Sequence, residues 1–329
     1  MKPSSRVVYF NGELVPEAEA RLSIYDSALM FGDMVFEMTR SFNQQQFKLR
    51  EHLDRLYASM KAVSLPAPIT IDEMEQAVYR TIDANREAFL ADDEQRVMID
   101  VSRGLLSIYE GIVGVGSGPN VIIAVSPLGW TVAGMGKLFK EGINAVIPSQ
   151  RAIPASLLDP KVKNRSRLHY LMANVEVSRY QGENNWALLL DPDGLIAEGT
   201  GDNFFIVRDG TIVTPEGRNI LRGISRGYVL EELAPQLGLR TLETNIEPYD
   251  VLNADEAFMT GTPFCLLPVC RLNGEPIGDG RVGPISRQLL DGWSQNVGVD
   301  IVAQIQGWDR ERLGEAATGP TPYAFGRAR

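Results

Sequence analysis

The stretch from Glu198 to Arg226, EGTGDNFFIVRDGTIVTPEGRNILRGISR, constrains this chain more than any other part of its sequence. It combines one carboxylate, several short predicted strands and a Gly-Ile-Ser turn that opens the predicted helix GYVLEEL. The backbone N–H groups of Gly223, Ile224 and Ser225 come just before that helix, and N–H groups at a helix N-terminus bind anions. A buried carboxylate such as Glu198 can pair with a ring nitrogen. The stretch therefore predicts a site for a phosphorylated aromatic cofactor.

The spacing within this stretch resembles the motif of the class IV (fold type IV) pyridoxal-phosphate aminotransferases. The matching positions are Glu198, Asn203-Phe204-Phe205, Ile212-Val213-Thr214 and Leu221 to Arg226. An alternative interpretation is two β-hairpins and a helix cap, and it suits either half of the stretch taken alone. The resemblance implies an α+β fold with a smaller N-terminal α/β domain and a larger, β-rich C-terminal domain. It also implies a homodimer.

Composition agrees with a globular enzyme of ordinary size. The chain has 329 residues, of which 44% are hydrophobic and 22% charged, which is enough for two domains with cores of their own. A net charge of −10 argues against a nucleic-acid or anionic-membrane surface. Two cysteines, Cys265 and Cys270, are too few for a disulfide framework or a four-ligand zinc site, so no metal is expected. The start, MKPSSRVVYFNGE, lacks the apolar core of a signal peptide, and a cytoplasmic location is the simplest expectation.

The domain boundary is expected where Ile153-Pro154-Ala155 interrupts regular structure after the predicted strand INAVI. This predicts an N-terminal domain over 1–147, a linker over 148–157 and a C-terminal cofactor-binding domain over 158–329. The polar, irregular residues after about Asp309 predict a mobile tail. In the helix that opens the C-terminal domain, the spacing of Leu168, Leu171, Met172 and Val175 predicts a buried face.

The resemblance implies roles for residues outside the opening stretch. Lys163, in KNRSRLHYLMA, occupies the position of the lysine that bonds to the cofactor aldehyde, and Tyr170 lies near the family tyrosine that contacts the cofactor phenolate. Arg55, in REHLDRLYAS, occupies the position of the arginine that binds the phosphate, although helical periodicity alone predicts a solvated side chain. The complete set of implied cofactor residues is Arg55, Lys163, Tyr170, Glu198, Asn203, Leu221, Gly223, Ile224, Ser225 and Thr262.

The substrate-binding residues are less well defined by the sequence. The stretch FGDMVFEMTR resembles the part of the family that meets substrate side chains, with Met38 where branched-chain enzymes have glycine. Pro263 removes an N–H donor from the Gly-Thr-Ala turn of those enzymes. Arg40 and Arg103 could bind a substrate carboxylate, but structural ion pairs are the favoured interpretation of both. The candidates are Phe31, Phe36, Met38, Arg40, Arg103, Thr262 and Pro263.

The resemblance implies a ping-pong transaminase that moves an amino group from an aliphatic, branched-chain-like amino acid or amine to a 2-oxo acid. Its cofactor would be pyridoxal 5'-phosphate, with Lys163 as the base and Glu198 keeping the ring nitrogen protonated. The Arg-x-His carboxylate trap of the D-amino-acid enzymes is missing after Ser102-Arg103-Gly104. The alternatives are an aminodeoxychorismate lyase, a D-amino-acid or R-amine transaminase, and a non-catalytic cofactor-binding protein, which the presence of both Lys163 and Glu198 disfavours.

Overall fold

The computed structural model describes residues 6–109, 111 and 118–312, and these form two compact units. The first unit comprises the described residues up to Leu128 together with Val162–Arg167. The second comprises Gly129–Lys161 and the described residues from Leu168 onward. The predicted linker at 148–157 thus lies inside the second unit, because the strand that precedes it pairs within the sheet of that unit.

The first unit is an antiparallel sheet with two long helices. Its strands are β1 (Val7–Phe10), β2 (Glu13–Pro16), β3 (Met34–Phe42), β4 (Gln45–Gln46), β5 (Gln95–Ser102) and β6 (Asn120–Pro127). Its α-helices are α1 (Ser27–Phe31), α2 (Leu49–Ala62) and α3 (Ile71–Ala84). Among the described residues the sheet has six strands, in the order β2-β1-β6-β5-β3-β4. Strands β1 and β2 form the hairpin that an Asn-Gly turn predicts, and both turn residues, Asn11 and Gly12, have the positive φ of a type I' turn.

One face of this sheet packs on α2 and α3. Alternate residues of β5, namely Val97, Ile99 and Val101, are buried with Leu53 and Leu56 of α2 in one hydrophobic cluster. The period of two in the strand and of 3.6 in the helix thus meet in a single core. Helix α3 begins with a capping box. The Glu73 carboxylate accepts from the Thr70 backbone N–H, and the Thr70 hydroxyl accepts from the Glu73 backbone N–H.

The second unit is dominated by strands. They are β7 (Ile143–Val146), β8 (Asn185–Leu190), β9 (Ile196–Gly199), β10 (Asn203–Arg208), β11 (Thr211–Thr214), β12 (Arg240–Glu243), β13 (Glu256–Gly261), β14 (Cys265–Leu272) and β15 (Glu275–Pro276). Its helices are α4 (Gly129–Val132), α5 (Leu138–Glu141), α6 (Leu168–Val177), α7 (Ile224–Tyr228), α8 (Ala234–Gln236), α9 (Pro248–Leu252), α10 (Pro284–Val297) and α11 (Ile301–Arg312). A π-helical turn, Val229–Leu233, joins α7 to α8 without a break. Of the predicted tail after Asp309, the part to Arg312 belongs to α11, and the rest lies outside the described residues.

The strands of the second unit close on themselves. In the described part of the chain, β10, β13, β14, β7, β8 and β9 follow one another in hydrogen-bonded order, and β9 pairs back to β10. The closing pair joins Glu198 of β9 to Asn203 of β10. Closure therefore brings the carboxylate singled out by the sequence against the first residue of the NFFIVR strand.

Helix α6 buries a different face from the one that the sequence predicts. Its side chains Leu168, Leu171 and Met172 are 69%, 39% and 49% exposed. Ala173 and Val177 are buried instead, in a cluster with residues of β7, β8 and β9. The predicted residues do form an apolar stripe, but the residues on the other side of the helix make the contact with the rest of the unit. The prediction that the stripe is buried was therefore wrong.

Candidate active site

The second unit holds the Glu198 carboxylate in a fixed position. The side chain is 5% exposed. Its Oε2 accepts hydrogen bonds from Asn203 Nδ2 at 3.1 Å and from the Leu221 backbone N–H at 3.0 Å. Its Oε1 accepts a hydrogen bond from the Tyr170 hydroxyl at 2.8 Å. A carboxylate that accepts several hydrogen bonds is stabilised in its charged form, so these three donors favour the carboxylate and fix its orientation.

Asn203 connects this carboxylate to the turn that opens α7. Its Nδ2 also donates to the Leu221 carbonyl oxygen at 2.9 Å. Gly223 is the N-cap residue of α7, and as a glycine it has no side chain that could cap the first N–H groups of the helix. A Cβ added to Gly223 would lie 2.1 Å from Asn203 Oδ1, so this position requires glycine. The helix start that the sequence predicts to bind an anion thus lies beside Asn203, and anion binding there stays a prediction.

Thr260 adds a polar atom that the sequence did not single out. It pairs with Asn203 across β13 and β10, so the two side chains project from the same face of the sheet. The residue is 1% exposed, and its Oγ1 has no hydrogen-bond partner in the described part of the chain. An unsatisfied buried hydroxyl is unfavourable unless something else satisfies it. Thr262, two residues on, lies in the turn between β13 and β14 and is partly buried.

The first unit holds Lys163 alongside β3. The Lys163 carbonyl oxygen accepts from the Phe36 backbone N–H at 3.0 Å, and its own N–H donates to Ser59 Oγ at 3.2 Å. The Lys163 Nζ lies 4.7 Å from the centre of the Phe36 ring, and the Arg165 guanidinium lies 3.8 Å from the same centre. The backbone of Lys163 is therefore fixed at two points, and its amine lies against an aromatic face.

Arg55 lies in a buried cluster with Glu37 and His52. Its Nε donates to Glu37 Oε1 at 2.6 Å and its Nη2 donates to Oε2 at 2.8 Å, while His52 Nδ1 lies 2.7 Å from Oε2. The periodicity-based prediction of a solvated Arg55 is wrong, because its side chain is 12% exposed. Burial alone would raise the pKa of the Glu37 carboxyl, but Arg55 and His52 together lower that pKa well below its usual range. Burial lowers the pKa of His52, against the opposing effect of Glu37.

We expect Glu37→Gln to lower the free energy of unfolding by about 3 kcal/mol, because it leaves the buried Arg55 without its counter-charge. Urea unfolding measures this change. Asp83→Asn is the matched control, since it breaks an exposed pair with Arg86 at 2.7 Å and should cost less than about 0.5 kcal/mol. Equal costs for the two variants would contradict this account of the cluster.

Two of the predicted substrate residues, Arg103 and Arg40, contact other residues of the first unit. Arg103 Nε and Nη2 donate to the two carboxylate oxygens of Asp33, at 2.5 and 3.1 Å. The same guanidinium donates to two backbone carbonyl oxygens. Arg40 is 1% exposed, and its guanidinium lies 3.9 Å from the centre of the Phe42 ring. The favoured interpretation of Arg103 as part of a structural ion pair therefore agrees with its contacts. The side chain of Phe31, by contrast, is 65% exposed.

Arg96 is a cation that sequence reasoning missed. It lies opposite Arg40 on β5, on the sheet face away from α2, and its Nε donates to the Met38 sulfur at 3.3 Å. Burial lowers the pKa of Arg96, and the neighbouring positive charge of Arg165 lowers it further. Arg165 itself is paired with Asp100 at 2.7 Å. The alternation of Arg96, Met98 and Asp100 with buried valines and isoleucine was a signal that these three share a face.

Three comparisons relate this chain to known proteins. A model of the family described as "Amino-transferase class IV" matches residues 34–272. The branched-chain-amino-acid aminotransferase of Escherichia coli (strain K12) is 32% identical over 294 residues, which covers 86% of this chain and 90% of that protein.

Solved structures are similar over nearly the whole chain. The crystal structure of the Escherichia coli branched-chain amino acid aminotransferase has a TM-score of 0.79 at 28% identity, covering 94% of this chain and 97% of that one. The branched-chain amino acid aminotransferase from Thermobaculum terrenum, solved in its PLP-form, has a TM-score of 0.76 at 26% identity, covering 94% of this chain and 98% of that one.

Proposed function

Because this chain belongs to the class IV aminotransferases, we propose that it transfers an amino group from an aliphatic, branched-chain-like amino acid to a 2-oxo acid by a ping-pong mechanism. Its cofactor is pyridoxal 5'-phosphate. The match to the family over residues 34–272 and the branched-chain substrates named for its relatives support the proposal. The observation that carries it is the buried Glu198 carboxylate, held by three hydrogen-bond donors beside an uncapped helix N-terminus.

The residues of each unit fit this cofactor. In the second unit, the Glu198 carboxylate could pair with a ring nitrogen. A bound polar group could also accept from the first N–H groups of α7 and satisfy the Thr260 hydroxyl, which has no hydrogen-bond partner in the described part of the chain. In the first unit, the Lys163 amine lies over the Phe36 ring. When bound, pyridoxal phosphate supplies an aldehyde carbon that accepts the amino group and a ring that withdraws electrons.

We assign Lys163 the covalent attachment of the cofactor and the movement of the proton. With the cofactor bound, the Lys163 amine would be the base that accepts the proton of the substrate α carbon and later releases it. Glu198 would favour the protonated form of the ring nitrogen, because a neighbouring carboxylate stabilises a cation. Leu221 would supply an apolar contact to the cofactor, and Asn203 keeps the carboxylate in place through its hydrogen bond.

We assign the cofactor phosphate to N–H and O–H donors and to one cation. The backbone N–H groups of Ile224 and Ser225 begin α7, which continues as one helical segment to Gln236. Gly223, the Ser225 hydroxyl and Thr262 complete the proposed set in this unit. Arg55 is the proposed cation, and its fork on Glu37 fixes the direction of the guanidinium.

We propose Arg96, rather than Arg40 or Arg103, for a substrate carboxylate. Arg103 is held by Asp33 and two carbonyl oxygens, and Arg40 is almost completely buried. The hydrogen bond of Arg96 Nε goes to the Met38 thioether, which is a weak acceptor that a carboxylate would readily replace. Phe36 and Met38 then supply apolar surface on the same face of the sheet, as suits an aliphatic side chain.

We also propose that the chain acts as a homodimer in the cytoplasm. The exposed apolar side chains of α6, Leu168, Leu171 and Met172, form a stripe of the kind that a second subunit covers. The described part of the chain has no helix long and apolar enough to cross a membrane. Cys265 and Cys270 are buried and form no disulfide bond in the described part of the chain, which suits a reducing compartment.

Replacing Leu168 by glutamate should convert the dimer into a monomer at micromolar concentration, because an unpaired charge in an apolar interface is unfavourable. Light scattering coupled to gel filtration measures the mass. Leu90→Glu is the control, since Leu90 is similarly exposed at 65% but is followed by the acidic stretch Ala91-Asp92-Asp93-Glu94. A monomeric wild type with full activity would rule out the dimer.

A panel of amino donors tests the proposed substrate class. L-leucine, D-alanine and an R-amine are each varied against 2-oxoglutarate, and initial rates are plotted as double reciprocals. We expect parallel lines, as a ping-pong mechanism requires, and the highest kcat/KM for the branched aliphatic donor. Intersecting lines, or a preference for the R-amine, would contradict the proposal.

A further inference from the structure

The Tyr170 hydroxyl donates its hydrogen bond to the Glu198 carboxylate. It lies 2.8 Å from Glu198 Oε1, on the opposite carboxylate oxygen from Asn203 and Leu221. A tyrosine hydroxyl has one proton to donate, and an ionised carboxylate can only accept. The proton of Tyr170 thus points at Glu198 and is not available to a phenolate oxygen.

Helix α6 presents this hydroxyl from a rigid position. Asn174, one turn after Tyr170, exchanges hydrogen bonds with the Thr200 hydroxyl at 3.1 and 3.2 Å. Thr200 directly follows β9, the strand that carries Glu198. The Tyr170 ring also packs on the apolar cluster formed by Ala173, Val177 and residues of the adjoining strands. Hydrogen bonds from Tyr170 and Asn174, one helical turn apart, thus join α6 to β9 and to the residue that follows it.

We propose that Tyr170 is a positioning residue that acts through Glu198 on the cofactor's ring nitrogen, and not a residue that contacts the cofactor's phenolate oxygen. The proposal rests on the assignment of Glu198 to the ring nitrogen. It replaces the role that the sequence resemblance implied for this tyrosine. With one oxygen held by Tyr170 and the other by Asn203 and the Leu221 N–H, the carboxylate plane cannot turn away from the ring.

Two cofactors that differ only at the ring nitrogen separate the two roles. The apoprotein is titrated with pyridoxal 5'-phosphate and with its 1-deaza analogue, in which C–H replaces the ring nitrogen. Dissociation constants are measured for wild type, Tyr170→Phe and Tyr57→Phe. The last variant is the matched control, because it also removes a hydrogen-bonded hydroxyl from a partly buried tyrosine, here one that donates to the Ile69 carbonyl at 2.7 Å.

We expect Tyr170→Phe to weaken binding of pyridoxal phosphate by about tenfold, the effect of losing one hydrogen bond to a charged group. Binding of the 1-deaza analogue should be the same in Tyr170→Phe and wild type, because the carboxylate then has no ring nitrogen to act on. Tyr57→Phe should change neither constant. The absorption maximum of the bound pyridoxal phosphate should also shift in Tyr170→Phe alone, since the protonation of the ring determines its spectrum.

Each other outcome overturns the inference. An equal loss for both cofactors would mean that Tyr170 contacts a part of the cofactor that they share, such as the phenolate oxygen. No loss for either would mean that the hydrogen bond to Glu198 does not reach the cofactor. A wild type that binds neither cofactor would instead contradict the cofactor assignment, and this inference with it. Melting temperatures of the apoproteins establish that both phenylalanine variants are folded.

Discussion

Replacing Lys163 by alanine should abolish amino transfer, lowering kcat by at least about 10⁴-fold. The amine is both the proposed attachment point of the cofactor and the base that moves the substrate proton, so one substitution removes two functions. Rates with L-leucine and 2-oxoglutarate measure the loss. Mass spectrometry after borohydride reduction should find the cofactor attached to Lys163 in wild type and no attachment in the variant.

Lys161→Ala is the control for this substitution. Lys161 lies two residues away, but its amine is paired with Asp159 at 2.8 Å and donates to the Arg218 carbonyl oxygen at 3.0 Å. Its loss should leave kcat within about twofold, as expected for an exposed ion pair. If Lys163→Ala kept its activity while Lys161→Ala lost it, the assignment would have chosen the wrong lysine.

The second large effect is expected from Glu198→Gln, which should lower kcat by about 10² to 10³-fold. Glutamine keeps the shape of the side chain but removes the negative charge that holds a proton on the ring nitrogen. Its oxygen can still accept from Asn203 and the Leu221 N–H, and its amide can donate to the Tyr170 hydroxyl. The folded structure should therefore persist, and the loss should appear in kcat rather than in stability.

A second buried carboxylate of the same unit provides the control. Glu256 is 6% exposed and accepts hydrogen bonds from the Ile285 and Ser286 backbone N–H groups at the start of α10, both at 2.8 Å. Glu256→Gln should lower the melting temperature, because a neutral amide caps that helix less well, and leave kcat unchanged. Comparable losses of kcat in the two variants would show that the effect of Glu198→Gln comes from folding rather than from charge.

Local patterns were sufficient to predict the elements that carry the site. Asn11-Gly12 predicts the first hairpin, and Asp191 to Gly194 predicts the hairpin that leads to Glu198; both are confirmed. These turns follow from the positive φ that asparagine and glycine tolerate. The spacing of Leu53 and Leu56 likewise predicts the buried face of α2. Periodicity succeeds here because each of these faces is covered by the same chain.

The sequence did not predict what depends on contacts between distant residues. Arg55 and Glu37, 18 positions apart, form an ion pair that helical periodicity cannot predict, and periodicity alone predicted a solvated Arg55. The hydrogen bond from Tyr170 to Glu198, 28 positions apart, needs α6 to pack beside β9. The exposed stripe of α6 illustrates the same limit, because a pattern shows that a face is apolar but not whether its own chain covers it.

The most direct test of the central claim is an absorption spectrum of the purified protein before and after one equivalent of L-leucine is added without an acceptor. We predict that a cofactor band of the wild type is replaced by the band of the pyridoxamine form, and that 2-oxoglutarate then restores the first spectrum. Lys163→Ala should carry out neither change. A protein that shows no cofactor band, even after pyridoxal phosphate is supplied, would contradict the account.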